Sequence, residues 1–212
     1  MSENKTMARR GEQLREHILW TAMDVFLEMG FQRASMDVVA SRAETSKRSL
    51  YAHFESKEKL FLEFLEHMRR LFLGRLKMPG DYSEKPAEAL TLFCGRYLEI
   101  VLCQSTIRMC RVVMAETERF PEGSAVYFNV GFSAVQERLT LYLKNTFRLS
   151  AKTSADAAER LLGLILYPRF PRALFGLEAL PEIFNEENLS PNFDLKPIRA
   201  AVANVIKSLA KE

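Results

Sequence analysis

The chain has 212 residues and a formal net charge of +3, from 30 Lys and Arg against 27 Asp and Glu. That near balance excludes a protein that coats nucleic acid, while 48% hydrophobic content and 15 Phe can fill a substantial core. No apolar run approaches the roughly 20 residues needed to span a bilayer, and Cys94, Cys103 and Cys110 sit in apolar helical runs, which fits buried thiols in a reducing cytosol better than a disulfide framework.

Glycine and proline are sparse, strand-like alternation is absent, and apolar residues recur at three and four, so the class is all-α. The N-terminal MSENKTMARRGEQ lacks an apolar signal region, and a soluble, cytoplasmic protein is expected. Residues 1–79 hold 14 Lys and Arg against 11 Asp and Glu, whereas residues 80–212 hold 16 of each. The positive excess therefore lies in the first third.

Residues 1 to about 10 are polar, with Lys5, Arg9 and Arg10, and read either as a disordered tail or as a basic arm for DNA. The first helix is predicted over about 11–29, with Leu14, Ile18, Ala22, Phe26 and Met29 on its core face. Gly30 suits the left-handed position after a helix, and Phe31 supplies the returning hydrophobic contact. Ser35 is a good N-cap for the second helix, Asp37 suits its positive end, and Val38, Val39 and Ala43 form its apolar stripe. Ser46 caps the third helix, whose stripe is Leu50, Tyr51 and Phe54. Only Glu44 and Thr45 lie between, so the two helices must cross steeply. That is a helix-turn-helix, whose second helix can enter the major groove. Its exposed Ser46, Lys47, Arg48, Ser49, Tyr51 and His53 offer donors for phosphates and base edges, with no acid among them. A solvated helical hairpin shows the same local pattern. Ser56 caps the fourth helix, which runs to about residue 77, where Pro79-Gly80 stops it. It is too long for the small module alone and is expected to link two parts.

The run from Ser46 to Phe54, followed by Glu55-Ser56-Lys57-Glu58-Lys59-Leu60, resembles the DNA-binding signature of the TetR/AcrR family of transcriptional regulators. The segment from Ile18 to Met36, with Ala22, Phe26, Gly30 and Phe31, is similar to that family's first helix and its exit. The resemblance covers about 14–64, over three consecutive helices. One departure is visible: the family usually has glycine where this chain has Glu44, at a turn position that often needs positive φ. A non-glycine residue there costs on the order of 1 kcal/mol.

Beyond residue 80, helices are predicted over about 86–102, 106–120, 122–148 and from 153 or 154 to 166. The second is apolar nearly all round, hence central. Pro168 and Pro171 interrupt the last of these, a short run over 172–180 resumes it, and 185–197 reads as a loop. A final helix over 198–210 repeats Ile198, Val202, Val205, Ile206 and Leu209 on one stripe. Ala115-Glu116-Thr117-Glu118-Arg119-Phe120-Pro121-Glu122 and Leu161-Leu162-Gly163-Leu164 also look like the C-terminal domain of one TetR/AcrR branch.

The resemblance implies a helix-turn-helix DNA-binding domain over 1–56 and an α-helical ligand-binding and dimerisation domain over 57–212, with the fourth helix, 57–77, between them. It implies a homodimer on a palindromic double-stranded operator and, most often, repression relieved by a small effector. Lys47 and Arg48 match base-reading positions, and Thr45, Ser49, Tyr51, His53 and Lys57 match positions that mostly hold phosphates; Ser35 and Ser46, the two caps, complete the set. Met68, Leu71, Phe72, Phe93, Tyr97, Met109, Met114, Phe128 and Phe132 are candidates to line an apolar effector pocket, and each is equally a core residue. The last two long helices are expected at the subunit interface, through Leu161, Leu162, Ile165, Val202, Ile206 and Leu209, shortened by the proline break.

No enzymatic constellation is present. His17, His53 and His67 fall on different predicted helices, and there is no HExxH, glycine-rich phosphate loop or GxSxG motif. Cys103 and Cys110 are about 10.5 Å apart along a helix, too far to share a metal with ~2.3 Å bonds. No cofactor or metal is expected. A helical protein-interaction module without specific DNA binding is the alternative; it explains the C-terminal part but not the donors from Ser46 to His53.

Overall fold

The computed structural model describes residues 2–182, 184–185 and 188–209, with side chains from residue 11 onward. All its regular elements are helical, and no strand occurs among the described residues. The helices are α1 (Ser2–Arg33), α2 (Met36–Arg42), α3 (Lys47–His53), α4 (Lys57–Arg75), α5 (Pro86–Val101), α6 (Gln104–Ala115), α7 (Pro121–Phe128), α8 (Ala134–Phe147), α9 (Ala151–Leu166), α10 (Arg169–Leu174) and α11 (Lys196–Leu209). No described helix is long and apolar enough to cross a membrane. The backbone of α1 is already helical at Ser2. The side chains of Lys5, Arg9 and Arg10, and with them the proposed basic arm, lie outside the described residues.

The chain divides into two compact units, and the division differs from the expected boundary at residue 56. One unit takes the residues up to Arg70 together with Arg111–Tyr127; the other takes Leu71–Cys110 and the residues from Phe128 onward. The reason lies in α4. Its Leu60, Phe61, Phe64 and Leu65 are buried, and Phe61 and Phe64 meet Phe26 of α1 at 5.0 and 6.4 Å. The first half of α4 is therefore core to the helix-turn-helix unit. Ile18, Leu19, Ala22, Val25 and Phe26 recur on one face of α1 and are buried in the same unit. Gly30 breaks that helix with φ 73°, as its placement before Phe31 suggested.

The other unit is built on α5, α8, α9 and α11. Phe93, Tyr97 and Val101 of α5, Val135, Leu139 and Leu143 of α8, Leu161 and Ile165 of α9, and Val202 and Val205 of α11 form one buried cluster. The expected helix over 122–148 is continuous but contains a wide π turn at Asn129–Ser133. The Tyr97 hydroxyl donates to the Gly131 carbonyl in that turn at 2.9 Å, an inserted side chain of the kind that widens a helix. After α9 the backbone of Tyr167 is extended, and α10 follows the proline break.

α5 also holds a buried charge pair. Arg96 is fully buried and bonds Glu99 at 2.9 Å, and its Nη1 donates to the carbonyls of Asn185 and Asn188 at 2.6 and 2.9 Å. Glu99 accepts from the Ser190 amide at 3.1 Å. The pair thus ties the segment before α11 onto α5. A Cβ at Gly95 would stand 2.5 Å from the Leu195 side chain, so glycine is what lets the segment lie this close.

The residues of the expected dimer stripe are already buried or half-buried in the single subunit. Val202, Leu161, Leu162 and Ile165 are 1, 0, 8 and 5% exposed within a single subunit, and Ile206 and Leu209 pack against the same core. The apolar face of α11 is already covered by α5 and α9 of its own chain. A stripe of this period says that a helix face is buried, not whether the cover comes from the same chain.

Candidate nucleic-acid interface

Each helix of the helix-turn-helix is capped at its N-terminus. Ser35 accepts from the Val38 amide at 3.2 Å, and Ser46 accepts from the Ser49 amide at 3.0 Å, each closing a helix N-terminus. Between them, α2 ends in a paired motif: the Thr45 amide donates to the Ala40 carbonyl at 3.0 Å and the Glu44 amide to Ser41 at 3.3 Å. That geometry needs a left-handed residue next to the cap, and Glu44 has φ 49°. Leu50 and Phe54 are buried beneath α3.

Fixed in this way, α3 turns its polar side chains outward. Lys47 and Arg48 are exposed, Tyr51 is 49% exposed, and Ser49 and His53 are half-buried at the helix edge. Arg48 carries no hydrogen bond or ion pair among the described residues, so its guanidinium is available for a bidentate contact. Lys47 is not equally free. Its ammonium lies 2.7 Å from Asp37 of α2, an exposed pair that links the two helices. The acid in the first turn of α2, ten residues before Lys47, was the signal for it. Thr45 is half-buried in the turn, and the Ser46 hydroxyl keeps a proton to donate while it caps.

Lys57 has partners inside the unit. Its ammonium donates to the carbonyls of Phe31, Gln32 and Ala34 at 2.8, 3.3 and 3.1 Å, and stands 4.5 Å from the centre of the Phe31 ring. An ammonium has three N–H donors, and here all three serve the end of α1 and the entry to α2. In this arrangement Lys57 acts as a clamp within the unit, its donors turned to these carbonyls. Nothing local in the sequence marks this, because its partners lie 23 to 26 positions earlier. Arg15 is likewise internal, over the Phe54 ring at 4.9 Å and paired with Glu63.

The candidate pocket residues fall into three groups. Phe93, Tyr97 and Met109 are buried. Met68, Leu71, Phe72 and Phe132 are half-buried, and Met114 and Phe128 are each 58% exposed. Phe128 stacks on Phe132 at 5.2 Å, and Phe132 meets Phe170 edge-on at 5.5 Å, forming a partly open aromatic cluster. Phe170 is not in the expected set; the sequence places it in the proline break, and the structure places it in α10.

Comparison with known proteins agrees with this geometry. The family model described as "Bacterial regulatory proteins, tetR family" matches residues 18–64, and that described as "AefR-like transcriptional repressor, C-terminal domain" matches residues 88–188. Among curated proteins, the chain is 35% identical over 84 residues to the transcriptional repressor NicS of Pseudomonas putida, covering 39% of either chain. It is 42% identical over 94 residues to the transcriptional activator FasR of Mycolicibacterium smegmatis, covering 40% of this chain and 43% of that one. The matches thus span less than half the length of these relatives. Among solved structures, the flavonoid-responsive regulator FrrA aligns with a TM-score of 0.72 at 25% identity, over 94% of this chain and 96% of that one. A regulator from Mesorhizobium loti aligns with a TM-score of 0.73 at 18% identity, over 95 and 97%. These relatives are regulators of transcription, not enzymes.

Proposed function

The chain belongs to the TetR family of bacterial transcriptional regulators, and on that premise we propose that it is a cytoplasmic, dimeric repressor released from a palindromic operator by a small apolar or amphipathic effector. The observation that carries the operator reading is α3 itself, capped at its N-terminus by Ser46, without acids of its own, and presenting an exposed Arg48 that is unpaired among the described residues. An arginine so placed can bond guanine O6 and N7 together, worth about 1–3 kcal/mol of discrimination against other bases. Lys47, Ser46, Ser49, Tyr51 and His53 surround it with donors for phosphates, and Thr45 sits at the turn. Two such helices must stand about 34–36 Å apart to reach successive major grooves.

The dimer surface we assign is the outward apolar set of the second unit. Leu141, Leu164, Tyr167, Phe175 and Leu177 are 51, 47, 73, 81 and 63% exposed. Large apolar side chains left exposed are candidates for an association surface, which a contiguous apolar patch of more than a few hundred Å² marks. The aromatic cluster of Phe128, Phe132 and Phe170 supports an effector with a flat apolar body, and a flavonoid, named for FrrA, is the first to try. Such a ligand weakens DNA binding only by its differential affinity for the two states of the dimer.

The test is a selection of bound duplexes from a random pool, followed by a mobility-shift titration with and without flavonoids. Recovery of a two-fold-symmetric site is expected. Recovery of no duplex by folded protein would favour an interaction module instead.

A further inference from the structure

We propose that Phe120, in the turn between α6 and α7 and outside the 18–64 match, is a positioning residue for DNA binding: it holds the Phe31–Lys57 contact that fixes the entry to α2. The inference rests on the operator-binding reading. Phe120 is 9% exposed and belongs to the same compact unit as α1–α3. Its ring lies parallel to that of Phe31, 5.9 Å away at an angle of 6°, and 6.1 Å from Phe61. Parallel, offset rings attract one another beyond the area they bury.

The corner that carries Phe120 is built to hold it. Its amide donates to the Glu116 carbonyl at 2.7 Å, and Pro121 opens α7. The Ser124 hydroxyl donates to the Val113 carbonyl at 3.3 Å, bracing the end of α6 against α7. A Cβ on Gly123 would stand 2.7 and 2.8 Å from the Phe120 ring, a distance at which the ring has to move. Glycine at 123 therefore lets the ring lie where it meets Phe31.

From Phe31 the contact passes to the Lys57 ammonium, 4.5 Å from that ring, and from Lys57 to the Ala34 carbonyl. Ala34 immediately precedes Ser35, the cap of α2, and α2 is tied to α3 by the Glu44 turn and the Asp37–Lys47 pair. Displacing Phe120 releases Phe31, and with it the lysine that sets where α2 begins. The recognition helix then loses its fixed presentation while every DNA-contacting side chain remains in place.

The experiment uses the full chain and the duplex that the wild type selects. Affinity is measured by fluorescence anisotropy between 50 and 200 mM salt, well below the melting temperature of each variant. Phe120→Leu removes the flat ring, Gly123→Ala keeps the ring and displaces it, and Lys57→Met removes the clamp. Each is expected to weaken binding about fivefold to tenfold, with unchanged base preference. The slope of log affinity against log salt stays at the wild-type value, because no phosphate contact is lost. The double variant Phe120→Leu/Lys57→Met loses no more than about twice the larger single loss, as contacts in one chain of packing are not additive. Should Phe120→Leu fail to fold, Gly123→Ala carries the same comparison. Folded Phe120→Leu and Gly123→Ala that bind like the wild type, or losses that multiply in the double variant, overturn the inference. A shallower slope for Lys57→Met overturns it too. A wild type that selects no duplex rejects the operator reading and this inference with it, whereas a binding wild type with unaffected variants rejects the inference alone.

Discussion

Replacing Glu44 by glycine is expected to stabilise the protein. Glu44 sits at φ 49°, next to the cap of α2. An L-residue in the left-handed region carries about 1–2 kcal/mol of strain relative to the right-handed region. Glycine removes that strain but gives the unfolded chain extra freedom, which offsets about 0.4–1 kcal/mol. The two bonds of the turn, Thr45 to Ala40 and Glu44 to Ser41, are made by the backbone and survive the change. Glu44 is exposed and makes no ion pair among the described residues, so no side-chain contact is lost. The difference is a gain of roughly 0.5–1 kcal/mol, a rise in melting temperature of about 1–4 °C for a chain of this size. Thermal melting followed by circular dichroism measures it, with Glu44→Gln as the control that removes the charge and keeps the β-carbon. A Gly variant that melts below the wild type, or a Gln variant that gains as much as Gly, would refute the backbone argument.

Three further outcomes follow from the packing. Glu99→Ala leaves the Arg96 guanidinium buried without its carboxylate and should cost about 3–5 kcal/mol in urea denaturation; a loss below about 1 kcal/mol would mean the pair is solvated. Leu164→Lys should weaken self-association in sedimentation with little loss of subunit stability, while Val202→Glu should unfold the subunit; a folded Val202→Glu monomer would restore α11 to the interface. His67 packs edge-on to Trp20 at 5.6 Å with its Nε2 buried and unpartnered among the described residues, and burial, with Arg70 and Arg15, holds its pKa below the usual 6.5 against the pull of Glu16. The unfolded chain then binds the proton more readily, so stability is intact above about pH 6.5 and declines as pH falls toward the depressed pKa. His67→Leu should remove that part of the decline, and identical pH profiles for the two proteins would contradict the assignment.

The helix-turn-helix was legible because its information is local. Two serine caps, a two-residue turn and a run of donors occupy 20 consecutive positions, and the positive φ of Glu44 was legible only through the resemblance to a family that usually has glycine there. Lys57 was not legible as a clamp, since a lysine at a helix start reads equally as a phosphate ligand until its carbonyl partners are placed. The α11 stripe was found, but periodicity specifies a buried face and leaves its cover unnamed. Arg96 has a local trace in the sequence: a charged residue inside Leu92-Phe93-Cys94-Gly95-Arg96-Tyr97-Leu98 needs a partner, and Glu99 stands one turn on. The π turn had no such trace, because the hydroxyl that opens it comes from α5.

The measurement that bears most directly on the central claim compares the duplexes selected by the wild type and by Arg48→Ala. The account predicts a two-fold-symmetric site for the wild type. It predicts for the variant a site with the same spacing but relaxed preference at one guanine in each half, with about 1–3 kcal/mol of discrimination lost there. An unchanged preference in the variant would contradict the role given to Arg48, and a wild type that enriches no sequence would contradict operator binding itself.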